Sequence, residues 1–498
     1  MKFPSVGLCL LASASSLVTV NAFSSFIRQA PMEISQRNSN NSFSPRPLRR
    51  EASIKNDRSF KLRMVANAVV PEEDASEAPV GTGTASMSNM IFNLVKSVVG
   101  AGVLSLPAGI GAFGNAPSAV LPATVLIAIF GGLSGYAFSL LGRVCAYTGA
   151  LSYREAWSKT VGEETSIIPA ASCTFKTSVA ILAYSMILAD TGKALFSTVG
   201  VNISRSNTLF GITGAFLLPL CLLKNLASLA PFSLLGVVGM GYTCIAMIVR
   251  FFGGAYKVPS GALLPGVASA LQPSFGSKGA MSVFDPKSFI LISMLSTAFM
   301  AHFNAPKFYV ELKDNTIKRY NILVTSSFAI STAIFAAIAG AGFLTFGSAS
   351  SGLILNNYAN KDILMSLSRV AVAISLVFSY PLIFSGCRDG FLDLANVPVE
   401  KRTNSLLNKV TVGILTGVTG LALVLKDLTF VLSFGGATLG NALIYVYPAL
   451  MFRKAVQNMG DKASKGLKRE VNFALGTAGL GVAMGVVGAK MALKSLFA

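Results

Sequence analysis

From Ser86 onward the chain is written in long apolar runs separated by short polar stretches. The runs fall at roughly 86–112, 118–142, 166–192, 208–224, 229–252, 287–311, 319–346, 362–386, 407–425, 428–451 and 471–496. A helix needs about 20 mostly apolar residues to cross a hydrocarbon core of about 30 Å, so the pattern predicts about eleven transmembrane helices. Their spacing repeats: the centres of runs one to five recur in runs six to ten at an offset of roughly 190 to 205 residues. An odd number of spans per half makes the second half enter the membrane from the opposite side. The expectation is therefore an all-α polytopic membrane protein built as a 5+5 inverted repeat, 86–252 and 287–451. An outer loop over 253–286 joins the halves, and an inner loop with one extra helix follows over 452–498. In such repeats the site lies near the midplane, between the first helices of the two halves.

Composition agrees with the pattern. The chain has 498 residues, 52% hydrophobic and 12% charged, with a mean hydropathy of +0.62, whereas soluble chains carry roughly 25% charge. Six cysteines show neither paired nor metal-ligand spacing, so neither a metal nor any other cofactor is expected. A net charge of +20 raises the question of nucleic acid, but the basic residues are scattered over loops and the N-terminal segment without a basic stripe bearing aromatics. The loops on the side where the first helix begins hold the larger share of Lys and Arg, which makes that side the inner one. The lipid bilayer is thus a partner, nucleic acid is not, and protein partners are not legible.

The first 85 residues read as targeting segments and a tail. Residues 1–22 carry Lys2, an apolar stretch from Val6 to Val20, and Val20-Asn21-Ala22 as a small-residue cleavage site, which is the form of a signal peptide. Residues 23–66 hold nine Lys and Arg against three acids, the composition of a transit peptide. Headed by Phe23, this pair resembles the two-part leader of algae with complex plastids, and implies a plastid envelope membrane. A secretory protein of an endomembrane or the plasma membrane with a disordered tail is the alternative. Residues 67–85 read as an acidic disordered tail.

Two spans interrupt themselves. The first contains Gly100, Ala101, Gly102 and Pro107, which strip side chains and a helical donor from its middle, and the sixth has a polar, Pro306-bearing stretch at the position the repeat demands. A helix broken in the bilayer offers freed N–H groups to a carboxylate and freed carbonyls to an ammonium, so a zwitterionic substrate fits. A Gly-Ala-Gly face for close helix packing is the competing reading. His302, the only histidine, stands beside the second break; it is either a proton relay or a neutral tie for freed backbone.

The match to a known family is specific at this point. Asn93-Leu94-Val95-Lys96 with Gly100-Ala101-Gly102-Val103-Leu104-Ser105-Leu106-Pro107 in the first span resembles signatures of the amino acid/auxin permease family. So do His302, Asn304, Tyr309, Glu311 and Leu312 in the sixth, Arg369 with Tyr380-Pro381 and Arg388 in the eighth, and Phe434-Gly435-Gly436-Ala437-Thr438 in the tenth. The resemblance covers residues 86–496 and implies a LeuT-type fold that moves amino acids or related amines by alternating access. An amino-acid sensor on the same fold and a sodium-coupled carrier are the alternatives; a channel lacks its ring or filter loop, and no catalytic constellation marks an enzyme.

Candidate substrate residues on this reading are Ser97, Val98, Gly100, Ala101 and Gly102 of the first span, Tyr184 of the third, and Thr297 and Phe299 of the sixth. Candidate coupling residues are Lys96, His302, Ser375 and Ser379, with Glu311, Arg388 and Arg369 as gate ion pairs. Lys176 and Asp190 could face one cavity, or reach to opposite surfaces. LeuT-type carriers hold sodium between the first and eighth spans with oxygen ligands. Lys96, one turn before Gly100, would set an ammonium there, so the coupling ion is expected to be the proton, with sodium as the alternative; the dull reading is that Lys96 reaches to the surface.

Overall fold

The computed structural model describes residues 83–223 and 230–496. The expected leader, 1–22 and 23–66, and the tail as far as 82 lie outside them. In chain order the described helices are α1 (Met87–Val98), α2 (Leu106–Phe113), α3 (Val120–Thr148), α4 (Tyr153–Ser158), α5 (Ile167–Thr198), α6 (Arg205–Ile212), α7 (Leu218–Cys221) and α8 (Ala230–Phe252). A long loop then leads to α9 (Ser288–Ala298), α10 (Ala305–Glu311), α11 (Ile317–Phe346), α12 (Ile363–Leu394), α13 (Asn404–Val424), α14 (Leu428–Gly435), α15 (Tyr447–Asn458) and α16 (Lys465–Leu496). The strand-like geometry among the described residues is confined to isolated bridges, as lipid requires of a chain that must satisfy its own backbone.

Eight of these helical units are long and apolar enough to cross a membrane, or nine when the bent pair α1–α2 counts as one span. The expected spans at 208–224 and 229–252 fall on shorter described helix. α6 and α7 flank a π-helical turn over Thr213–Leu217, and the apolar stretch of α8 counted among shorter helices is Gly236–Phe252. Nine spans therefore stand on length, and the count of eleven rests on the repeat.

Packing follows the repeat. α5 against α12 and α3 against α11 are among the largest interfaces, and each joins equivalent helices of the two halves. The other contacts come in matched pairs: α8 on α12 with α14 on α5, α1 on α11 with α10 on α3, and α13 on α5 with α7 on α12. Both members of the α3–α11 pair end on a glycine with positive φ, Gly149 at 65° and Gly347 at 60°, a backbone turn that favours glycine at a helix end. The α3–α11 contact is close because Gly131, Gly135 and Gly142 line one face of α3. A Cβ at Gly142 would lie 2.1 Å from the Tyr320 ring, and one at Gly131 2.2 Å from Thr332 Oγ1. Small residues let membrane helices approach and gain dispersion where no hydrophobic force drives them together. α16 stands outside the repeat and packs on α9, α14 and α15, its Gly481 and Gly488 pressed against Tyr445 and Ser293.

Candidate functional site

The two interrupted spans are built to one plan. α1 ends at Val98, Val99 and Gly100 leave the helix, a 3-10 turn runs over Ala101–Ser105, and α2 resumes at Leu106. α9 ends at Ala298, a 3-10 turn runs over His302–Asn304, and α10 resumes at Ala305. Pro107 and Pro306 stand in the first turn of each second half, where a missing N–H leaves no bond unmade. The prolines thus start the second halves, and the cuts lie earlier, at Val99–Gly100 and Phe299–Ala301. The two halves of the first span are bent by 43°. α2 lies along α9 so closely that a Cβ at Gly109 would sit 2.9 Å from Leu291 Cδ1.

The glycines at the first break do not serve close packing. A Cβ at Gly102 would meet nothing within 4 Å, and one at Gly100 only the Tyr184 hydroxyl at 3.8 Å. Gly100 borders a cavity of about 70 Å³, walled by Val99, Gly100 and Ala101 at the break and by Tyr184 of α5, whereas Gly102, an expected substrate residue, does not line it. Lys96, Ser375 and Ser379 line the same cavity, as do Gly236, Val237 and Met240 of α8 and Val372 and Leu376 of α12. Among the residues that line this cavity, Lys96 is the ionisable cation. Ser375 and Ser379, one helical turn apart, bring their hydroxyls to the same space.

Six of the expected site residues are therefore brought together: Lys96, Gly100, Ala101, Tyr184, Ser375 and Ser379. The α8 wall was not anticipated. Its signal is the pair Gly236 and Gly239, where a Cβ would lie 2.3 Å from Ser375 Oγ and 2.9 Å from Ala371 Cβ. Two small residues on each helix at one-turn spacing mark a backbone approach, which the sequence alone could have suggested.

The other expected residues are held elsewhere, each for a visible reason. Ser97 is exposed and its hydroxyl donates back to the Asn93 carbonyl at 3.0 Å; Val98 is buried in the core. Thr297 donates to the Leu432 carbonyl of α14 at 2.7 Å. Phe299 is buried against α11, its ring centroid 4.6 Å from that of Phe335. His302, fully buried, places Nε2 3.0 Å from the Ser134 carbonyl of α3, so Nε2–H is the donor. The expected Glu311–Arg388 pair does not form here: Glu311 stands 3.8 Å from Lys307, and Arg388 is 3.3 Å from its neighbour Asp389. Arg369 neither pairs with an acid nor reaches outward. Its guanidinium donates to the Leu355, Tyr358 and Ala359 carbonyls, satisfying the end of the 3-10 turn Ile354–Asn357. Lys176 is buried and does not line the cavity that Asp190 borders with Arg205, whose Nε donates to Asp190 at 2.6 Å.

Both ends of the bundle are tied. At one end Arg250 of α8 forks onto Asp362, the N-cap of α12, with the Tyr256 hydroxyl donating to the same carboxylate at 2.8 Å. Burial, with the Asp362 carboxylate alongside, pushes the Tyr256 hydroxyl above its ordinary pKa. At the other end Arg143 of α3 makes a bidentate pair with Glu470 of α16 at 2.8 and 2.6 Å. Residues 83–85, expected within a disordered tail, pair instead with the end of the sixth span: the Ala85 N–H donates to the Glu311 carbonyl and the Lys313 N–H to that of Ala85, both at 3.0 Å. Gly83 fits there because a Cβ would lie 2.4 Å from the Leu312 carbonyl oxygen.

The sodium-coupled neutral amino acid transporter 7 of Mus musculus is 24% identical over 409 residues, 78% of this chain and 83% of its own length. The vacuolar amino acid transporter 5 of Schizosaccharomyces pombe is 25% identical over 419 residues, 80% of this chain and 93% of its own. The amino acid transporter AVT6E of Arabidopsis thaliana is 24% identical over 402 residues, covering 76% and 79%. Among solved structures, the inward-facing conformation of Mhp1 matches with a TM-score of 0.49 at 13% identity, covering 84% of this chain and 92% of Mhp1. The family described as transmembrane amino acid transporter protein matches residues 83–490, and the chain belongs to that family.

Proposed function

We propose that the protein is a proton-coupled secondary carrier of small neutral amino acids, in which Lys96 takes the place of a bound sodium ion. The observation that carries this reading is the shared wall: Lys96, the α12 hydroxyls of Ser375 and Ser379, and the opened backbone at Gly100–Ala101 surround one cavity of about 70 Å³. An ammonium opposes a second cation by about 4 kcal/mol at 4 Å and an effective dielectric near 20. It also offers a group that can release and regain a proton within the transport cycle. The Lys96 ammonium in that wall suits a substrate carboxylate and opposes a basic side chain.

Counterflow in sodium-free proteoliposomes tests the carrier reading. Vesicles preloaded with alanine should take up labelled alanine, and external lysine should not compete. Absence of exchange under any ionic condition would favour a sensor, and competition by lysine would remove the neutral-substrate claim.

We further propose that the carrier works in a plastid envelope membrane, on the strength of the signal-like residues 1–22 and the acid-poor segment headed by Phe23. Residues 1–66 fused to a fluorescent protein should deliver it to the plastid, and Phe23→Asp should hold it outside. Delivery to the vacuole or the plasma membrane by the intact leader would rule this out.

A further inference from the structure

α16 carries a feature that neither transport nor the repeat uses. Lys465, Lys468 and Arg469 at its inner end, with Lys462 in the turn just before it, fall within eight residues and are all exposed. The acids nearby do little to offset them. Glu470 spends both carboxylate oxygens on Arg143, which leaves Asp461 alone against four cations. Positive charge on the inner side orients a membrane protein wherever in the loops it lies, so topology alone does not explain its alignment with the face of one helix.

That alignment is specific. Lys465, Arg469, Phe473 and Leu480 follow one another at steps of four, four and seven, which puts them on one face of the helix. Phe473 is 56% exposed and Leu480 41%, while the opposite face of α16, with Ala474, Ala478 and Gly481, is buried against the bundle. Eleven residues separate Arg469 from Leu480, roughly 16 Å of helix, close to the depth of one leaflet of a core of about 30 Å. The cations at the start of α16 thus lie about one leaflet's depth from Leu480, with Phe473 between them on the same face.

We infer that this face binds an acidic phospholipid, with its phosphate on Lys465, Lys468 and Arg469 and an acyl chain along Phe473 and Leu480. Lys462 adds to the local field. The lipid braces α16 against α9 and α15, with which it packs, and extends the grip that the Arg143–Glu470 pair already gives at that end. Cations beside a membrane each strengthen attraction to an anionic lipid by roughly fivefold.

The test uses the purified full chain in neutral detergent. Native mass spectrometry and thermal melting are recorded with dioleoyl phosphatidylglycerol, with dioleoyl phosphatidylcholine, with inorganic phosphate and with a polyglutamate peptide. Phosphatidylglycerol should stay bound and raise the melting midpoint, phosphatidylcholine and phosphate should do neither, and the peptide should not displace the lipid. Lys465→Gln, Lys468→Gln and Arg469→Gln together should weaken phosphatidylglycerol binding by roughly a hundredfold, whereas Lys490→Gln with Lys494→Gln at the outer end should leave it intact. If the triple variant does not fold, Lys465→Gln alone should weaken it about fivefold. Equal binding of the two lipids, unchanged binding by the inner variants, or displacement by peptide or phosphate would overturn the inference.

Discussion

His302 is fully buried with Nε2 on the Ser134 carbonyl and its ring edge-on to Phe138 at 5.5 Å, so the single histidine joins the second break to α3 rather than facing the cavity. A glutamine amide can make the same donation to Ser134. His302→Gln should therefore keep at least half of the uptake rate and leave its pH dependence unmoved, measured as initial rates across pH 5.5 to 8. A flattened profile with retained uptake would return the residue to proton relay. At this scale the sequence was a partial guide. Lys96, Gly100, Ala101, Tyr184, Ser375 and Ser379 were legible because backbone-opening glycines and ionisable or hydroxyl side chains stand out in apolar runs. Thr297 and Phe299 were not, because which way a side chain turns beside a helix break depends on neighbours far along the chain: Leu432 for the one, Phe335 for the other.

Interrupted helices were the most readable elements, since Gly and Pro inside an apolar run leave few other conformations. Their cut points were less so. The sequence assigned the interruption to Gly100, Gly102 and Pro107 together, whereas the helix parts at Val99–Gly100 and the proline opens the next half. The strap at residues 83–85 gave no signal, because an extended segment that pairs by its backbone needs no particular side chains beyond the glycine at 83. It fastens the start of α1 to the end of α10, joining the first half of one broken span to the second half of the other. Gly83→Val should force this pairing apart, with Ala85 and Lys313 amides exchanging hydrogen at least tenfold faster than in the parent protein. Unchanged protection at both amides would show that the strap tolerates a side chain.

At the scale of the whole molecule, the repeat read from the spacing of apolar runs reappears as matched helix contacts, with α5–α12 and α3–α11 joining equivalents across the pseudo-axis. Spacing carries over well because the bilayer fixes span length; the cavity did not, because it needs α8 beside α12, a contact between residues more than a hundred positions apart. The account depends on what Lys96 does in that cavity. The direct measurement is uphill uptake of labelled alanine by proteoliposomes with an imposed pH gradient and no sodium, for the parent protein and Lys96→Met. The parent should concentrate alanine at least tenfold, and Lys96→Met should still exchange it while failing to concentrate it. A parent protein that accumulates alanine only on a sodium gradient, or a Lys96→Met variant that concentrates it on protons alone, would contradict the account.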